Sequence, residues 1–267
     1  MPRGLLAFAA ALLLASCSHT TPSSTPPASV SSAPAAPEAP AASVPSVAPS
    51  ASVAAPSANA TIAPCDAGDP LECEARQLWE QGAREDVVYV PTPQKVVDKM
   101  LEVAKVQSGD VVYDLGCGDG RIVVTAAKSY GVQALGFDLN PDRVREAREN
   151  VRAAGVESRA SIKWANVFSV DLQPATVVTL YLLPELNVRL LPKLEKLRPG
   201  ARVVSHDFDI QGVVPDGHWT ITAPEFVNSE GLSAYKGGAV PEDTKHYKER
   251  KQDIYLWVVP FKKVAGR

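Results

Sequence analysis

Residues 107–127 read QSGDVVYDLGCGDGRIVVTAA, and this stretch decides the fold. A turn at Ser108-Gly109-Asp110 leads into Val111, Val112 and Tyr113, β-branched and aromatic residues that suit a buried strand. Gly116, Gly118 and Gly120 follow, leaving room for a ligand to lie against backbone. A helix comes next, over about 121–128. Its first N–H groups lack intrahelical partners and so point at whatever fills the glycine loop. Asp114 stands at the end of the strand, and Asp138 ends the next apolar run, ALGFD, 24 residues later. A carboxylate at that distance is placed to accept two hydrogen bonds from a ribose diol. The expected ligand therefore carries a nucleoside.

The glycine spacing says which one. A dinucleotide fingerprint needs G-x-G-x-x-G, and here Arg121 fills the slot of the third glycine. A phosphate-cradling G-x-x-x-x-G-K-[ST] is absent as well. Asp114 beside the loop repels a pyrophosphate and welcomes an ammonium. S-adenosylmethionine has an ammonium, a sulfonium and a ribose diol, and no phosphate. The string DLGCGDG at 114–120, with Asp138 downstream, resembles the first two motifs of the seven-strand, Rossmann-like methyltransferases that use this cofactor.

Outward from this unit, residues 71–85 read as a short helix, YVPTP at 89–93 breaks the pattern, and Gln94 to Ala104 form a second helix. Strands follow at 133–138 and 160–165, separated by a helix from Asp142 to Ala154 that Gly155 stops. A fully apolar strand is predicted at 175–183, ended by Pro184, and then a helix from Asn187 to Leu197. Residues 201–208, 218–223 and 253–260 supply three more strands. Alternation at this spacing implies an α/β fold, a mostly parallel seven-stranded sheet with helices on both faces. That the last strand inserts antiparallel is what the resemblance implies.

The resemblance also assigns a site. Asp114, Gly116 and Gly118 line the methionine end, with Gly120 and Cys117 in the same loop; Asp138 holds the ribose, and Leu139 packs on adenine. Asn166, with Val167 in WANVF, stands where relatives place an acid or amide on the adenine amino group; a plain turn residue is the other reading. Thr92 and Tyr89 close over the methionine moiety, or Tyr89 simply packs in the core. Cys117 reads as a buried space-filler, not a nucleophile, since no histidine lies near it. No C-x-x-C or clustered His/Cys spacing indicates a metal.

For the acceptor side, Tyr181-Leu182-Leu183-Pro184-Glu185 replaces the acid-Pro-Pro-aromatic signature of adenine methyltransferases. YVPTPQKVVDKML at 89–101, FDLNP at 137–141 and the apolar end of strand four resemble the protein-lysine methyltransferases that include the mitochondrial enzymes acting on the ATP synthase c-subunit. The similarity covers roughly 87–260 and implies a protein lysine as partner. Tyr181, Glu185 and His206 are the candidate catalytic groups, with Asn187 nearby; His206-Asp207 is either a base or a loop pair without a role. The rival readings are a non-catalytic nucleoside-binding module, and a methyltransferase acting on a small molecule or nucleic acid. A net charge of −3 argues against a dedicated nucleic-acid surface, and a monomer is expected.

The N-terminus opens MPRGLLAFAAALLLASC. Its apolar run, Leu5 to Ala15, falls short of the roughly 20 residues that span a bilayer. Residues 1–17 read as a signal peptide, and Leu14-Ala15-Ser16-Cys17 resembles a bacterial lipobox, with Cys17 as the acylated residue. Residues 18–64 hold ten of the chain's 23 prolines and one Asp or Glu, Glu38, a composition that cannot bury enough apolar surface to order itself. They read as a disordered tether. Residues 65–86 form a cysteine-containing extension in which Cys65 and Cys73 can close a ring in an oxidising compartment, and 87–267 are the methyltransferase domain. The expected location is outside the cytoplasm on a membrane anchor, or the cytoplasm if translation starts further downstream.

Overall fold

The computed structural model describes residues 68–84, 89–226 and 247–264. Helix α1 (Pro70–Glu80) and α2 (Gln94–Val103) precede β1 (Val111–Leu115). Then come α3 (Arg121–Tyr130), β2 (Gln133–Asp138), α4 (Pro141–Ala153), β3 (Ala160–Trp164), β4 (Val177–Leu180), α5 (Pro184–Leu194) and β5 (Arg202–His206). Two-residue β6 (Val213–Val214), β7 (Gly217–Phe226), β8 (Tyr247–Val258) and two-residue β9 (Lys262–Lys263) complete the order. The signal peptide, tether and Cys65 lie outside the described residues. Cys73, within α1, is disulfide-bonded.

Seven strands form one sheet in the order β3-β2-β1-β4-β5-β8-β7. β3 to β5 pair in parallel, and β8 inserts antiparallel between β5 and β7. Strand order reverses between β1 and β4. Crossovers there leave in opposite directions, which opens a crevice at the carboxyl ends of those strands. Asp114 and the glycine loop sit at that crevice.

Alternation along each strand feeds two cores. Val112, Ala134, Ile162 and Val204 face α2, α3 and α4, while Tyr113, Leu115, Val178 and Leu180 face α5. Leu101, Leu180 and Leu190 are fully buried, so truncating any one to alanine costs about 2–5 kcal/mol. The N-terminal extension is tied to the edge strand β3 by Asp69 to Lys163 (2.7 Å) and to α4 by Glu72 to Arg148.

Several boundaries differ from the sequence reading, among them β8, which starts at Tyr247 and not at 253, and α5, which ends at Leu194 and not at Leu197; two more bear on the site. β4 is only Val177–Leu180, so Tyr181, Leu182 and Leu183 form a loop instead of continuing the strand. α5 begins at Pro184, three residues before Asn187, because a proline at the first helical position loses no hydrogen bond and arrives with its φ already set. Pro184 starts a helix as much as it ends a strand.

Candidate active site

A cavity of about 670 Å³ lies at the crevice, within the range of small-molecule sites. Its wall gathers residues from the ends of β1, β2, β4 and β5, and from β7 and β8. Thr92, Asp114, Gly116, Cys117, Asp138, Leu139, Asn166, Val167 and Tyr181 all line it, and so does Tyr89.

Asp114 is buried, and Thr179 Oγ1 donates to its Oδ1 at 2.6 Å. Burial pushes its carboxyl up to about 7, and the neighbouring charges of Asp138 and Asp119 push the same way against the Thr179 bond. No cation pairs with it among the described residues. A buried acid in that condition fits a ligand ammonium, which would return it to the ionised form. Asp138 is fixed differently: Gly118 N–H donates to Oδ2 and Asn140 N–H to Oδ1, each at 2.9 Å. The two backbone bonds hold the carboxylate at the end of β2 on the cavity wall, where a ribose diol can approach it.

Gly116 has φ 80°, and a Cβ there would stand 2.9 Å from Leu182 Cδ2. Gly118 and Gly120 correct the sequence reading, because neither lines the cavity. A Cβ on Gly118 would fall 2.3 Å from Tyr89 Cε2, and one on Gly120 would meet Ala147 Cβ of α4 at 3.0 Å. One glycine admits the Tyr89 ring, the other lets α4 pack closely. Tyr89 therefore both lines the cavity and packs on the loop. Cys117 fills the space left by Gly136, where a Cβ would stand 2.8 Å from Sγ, and burial pushes its thiol well above the ordinary range. Asn166 Oδ1 accepts from Phe168 N–H at 3.0 Å, so it is a turn residue that also lines the cavity.

The catalytic candidates separate. Tyr181 lines the cavity, and its ring centroid lies 3.9 Å from that of His206. His206 is fully buried behind it, with Nε2 2.7 Å from Gln252 Oε1 and Nδ1 3.4 Å from Thr92 Oγ1. Burial lowers its pKa despite nearby Asp207, which favours neutral imidazole. It cannot reach an acceptor, and the expectation of a base there is corrected to a support for Tyr181. Glu185 is exposed in the first turn of α5 and does not line the cavity. Asn187 is buried, donating to the carbonyls of Phe208 (3.5 Å) and Asp209 (3.3 Å).

Several wall residues escaped the sequence reading. Arg121, in the third-glycine slot, pairs with Asp119 (Nη2 to Oδ2, 2.6 Å) and donates to the Thr92 carbonyl at 2.8 Å, clamping the glycine loop to 91–93. Arg143 of α4 lies 4.8 Å from the Tyr89 ring centre. Glu225 and Arg250 come from β7 and β8 and also line the cavity, where they meet Asp207, which the sequence offered only as the partner of His206. The GDGR string held a signal for the first clamp. Nothing local marks Glu225 or Arg250, because only sheet pairing brings them together.

A cavity at the switch point of this sheet order, walled by two buried carboxylates, is what the fold of an S-adenosylmethionine-dependent methyltransferase presents, and the chain is one. Comparison with known proteins agrees. The model of the ANTKMT methyltransferase domain matches residues 114–217. A protein-lysine N-methyltransferase of Saccharolobus islandicus (strain REY15A) is 58% identical over 131 residues, 48% of this chain and 81% of that protein. The Homo sapiens lysine N-methyltransferase of the ATP synthase c-subunit is 32% identical over 145 residues. Those residues are 54% of this chain and 58% of the human protein, so the chain spans less than two thirds of that relative's length. An RNA methyltransferase from Salinibacter ruber, solved with S-adenosyl-L-homocysteine, superposes with a TM-score of 0.52 at 40% identity, covering 66% of this chain and 98% of that one. The chain belongs to the protein-lysine N-methyltransferase family that includes the Saccharolobus protein.

Proposed function

We propose that the chain methylates lysine side chains of a protein. The observation that carries this reading is the 58% identity to a protein-lysine N-methyltransferase. The acceptor end of the cavity supports it: Tyr181, Leu182, Leu183 and Phe208 offer an apolar wall for an aliphatic stem, with carboxylates beyond it for a cationic head.

When bound, the cofactor supplies a methyl carbon on a positively charged sulfur, so the protein's work is positioning and desolvation. In this reading Asp114 takes the cofactor's ammonium, Asp138 its ribose diol, and Leu139, Asn166 and Val167 its adenine. Tyr181 holds the acceptor stem, and Thr92, through His206, fixes the Tyr181 ring. A lysine must give up a proton before it reacts. The carboxylates bind it as the ammonium; its proton then passes to one of them or to water, and desolvation against the Leu182 and Leu183 wall favours the neutral amine that reacts.

The domain limits, membrane anchoring at Cys17, an exported location and a monomeric state belong to the same proposal, supported by the N-terminal sequence pattern for the first three. Cys17→Ser should release the protein from the membrane fraction; wild type found soluble and unprocessed would overturn the anchor.

The Salinibacter relative favours RNA as a second acceptor class. The deciding experiment incubates the protein with methyl-labelled S-adenosylmethionine and an extract of its own cells. Label on protein lysines supports the reading; label in RNA with none on lysine overturns it.

A further inference from the structure

On the side of the cavity formed by the last strands, a second group of charges comes together from the end of β5 and from β7 and β8. Glu225 on β7 is 1% exposed. Asp207, just past β5, lies beside it. Arg250 on β8 spans both, donating through Nε and Nη2 to Glu225 and through Nη2 to Asp207, with a further contact to Gln252 Oε1 at 3.1 Å. Asp207 holds a left-handed φ of 60°, and its backbone N–H donates to the Asp253 carbonyl at 2.7 Å while its Oδ1 accepts from the Asp253 N–H at 3.0 Å. That exchange pins its second carboxylate oxygen toward Arg250. Tyr181 adjoins the group, close enough that Asp207 and Glu225 act with burial to raise its hydroxyl pKa. Leu182, the next residue, packs on Gly116, so the cluster borders the cofactor loop.

We propose that Glu225 and Asp207 form the receptor for the acceptor's ammonium, and that Arg250 is an internal substitute for it. The inference rests on the lysine reading and names the residues that select the amine. A carboxylate as buried as Glu225 needs a cation beside it. The two partners of that ion pair are unequally committed: the Arg250 side chain is 45% exposed and that of Glu225 only 1%. The guanidinium can swing into water on its long stem, whereas the carboxylate cannot leave. A lysine entering along Tyr181 brings a replacement charge to the same two acids. Its ammonium is the smaller cation, and its arrival leaves the net charge of the wall unchanged. A phosphodiester backbone brings the wrong sign.

The test is steady-state methylation by the full chain, with labelled cofactor and Nα-acetyl-lysine amide or poly-L-lysine as probe acceptor. Glu225→Gln and Asp207→Asn should raise KM for the amine about tenfold or more, with S-adenosylhomocysteine affinity held within twofold as the folding control. Arg250→Gln should lower KM several-fold, and Arg250→Lys should restore the wild-type value. Lys248→Gln removes an exposed charge from the same strand and should leave KM within twofold, which separates displacement from general electrostatics. An ion pair that only braces the strands predicts the same sign for both partners. Lysine labelling with KM shifts of one sign, or a Lys248→Gln shift as large as that of Arg250→Gln, overturns the inference alone. Labelling of added RNA with none of either amine probe overturns the acceptor reading and this inference with it.

Discussion

Two carboxylates flank β1, four residues apart, and they have opposite fates. At its start, Asp110 is bound by Arg202 through Nη1 (3.0 Å) and Nη2 (2.5 Å) and by Thr176 Oγ1 at 2.7 Å. Burial pushes its carboxyl up, but Arg202, Thr176 and the Gln107 N–H outweigh it and hold the group below the ordinary range. At the strand's end Asp114 has Thr179 and no described cation, and burial leaves it at about 7. The chain satisfied the first acid from its own residues. The second is left for a ligand. Loss of a partner should therefore show up as instability at one end and as lost binding at the other.

The largest effect belongs to the structural end. Arg202→Met leaves the Asp110 charge largely buried and unpaired, and should cost about 3 kcal/mol in urea unfolding with little change in cofactor affinity. At the ligand end the pattern reverses. Asp114→Asn should weaken S-adenosylhomocysteine binding roughly 30- to 150-fold, about 2–3 kcal/mol, in calorimetry. Its apo form at pH 7 should be no less stable, since a desolvated acid has been replaced by an amide. A destabilised Asp114→Asn with normal binding would erase the distinction.

A smaller loss, about 2 kcal/mol of binding, is expected for Asp138→Ala, whose bonds to the Gly118 and Asn140 N–H groups make it half structural. Smallest is Tyr181→Phe. It should lower turnover about fivefold, near 1 kcal/mol, while cofactor affinity stays within twofold, because its hydroxyl concerns only the acceptor.

The contrast also explains what the sequence could show. Asp114, Asp138 and Gly116 lie within one βαβ unit, where local spacing fixes geometry, so their convergence on one cavity was legible. Gly118 and Gly120 look like ligand contacts in a string, yet one serves the Tyr89 ring and the other the approach of α4. His206 was legible as a polar residue at a strand end. Its burial behind Tyr181 depends on β8 inserting Gln252 beside it. Glu225 and Arg250 were silent for the same reason: their meeting is a product of register between β7 and β8, where Arg250 pairs with Ala223, two residues before Glu225.

The central claim is that Asp114 waits for a cationic ligand, and its titration tests that directly. With a folded pKa of about 7 above its ordinary 3.8, Asp114 makes the apo protein bind an extra proton between those values. Its contribution to apo stability is thus present at low pH and lost as pH rises through 7. Ammonium binding needs the ionised form, so affinity should move the other way. Calorimetric titration of S-adenosylhomocysteine into the full chain from pH 5 to about 8.5 should show wild-type affinity levelling off only above about pH 8. Below about 7 it should fall, approaching tenfold per pH unit, while Asp114→Asn binds weakly and without pH dependence. A flat wild-type profile, with Asp114→Asn binding as tightly as wild type, would contradict the account.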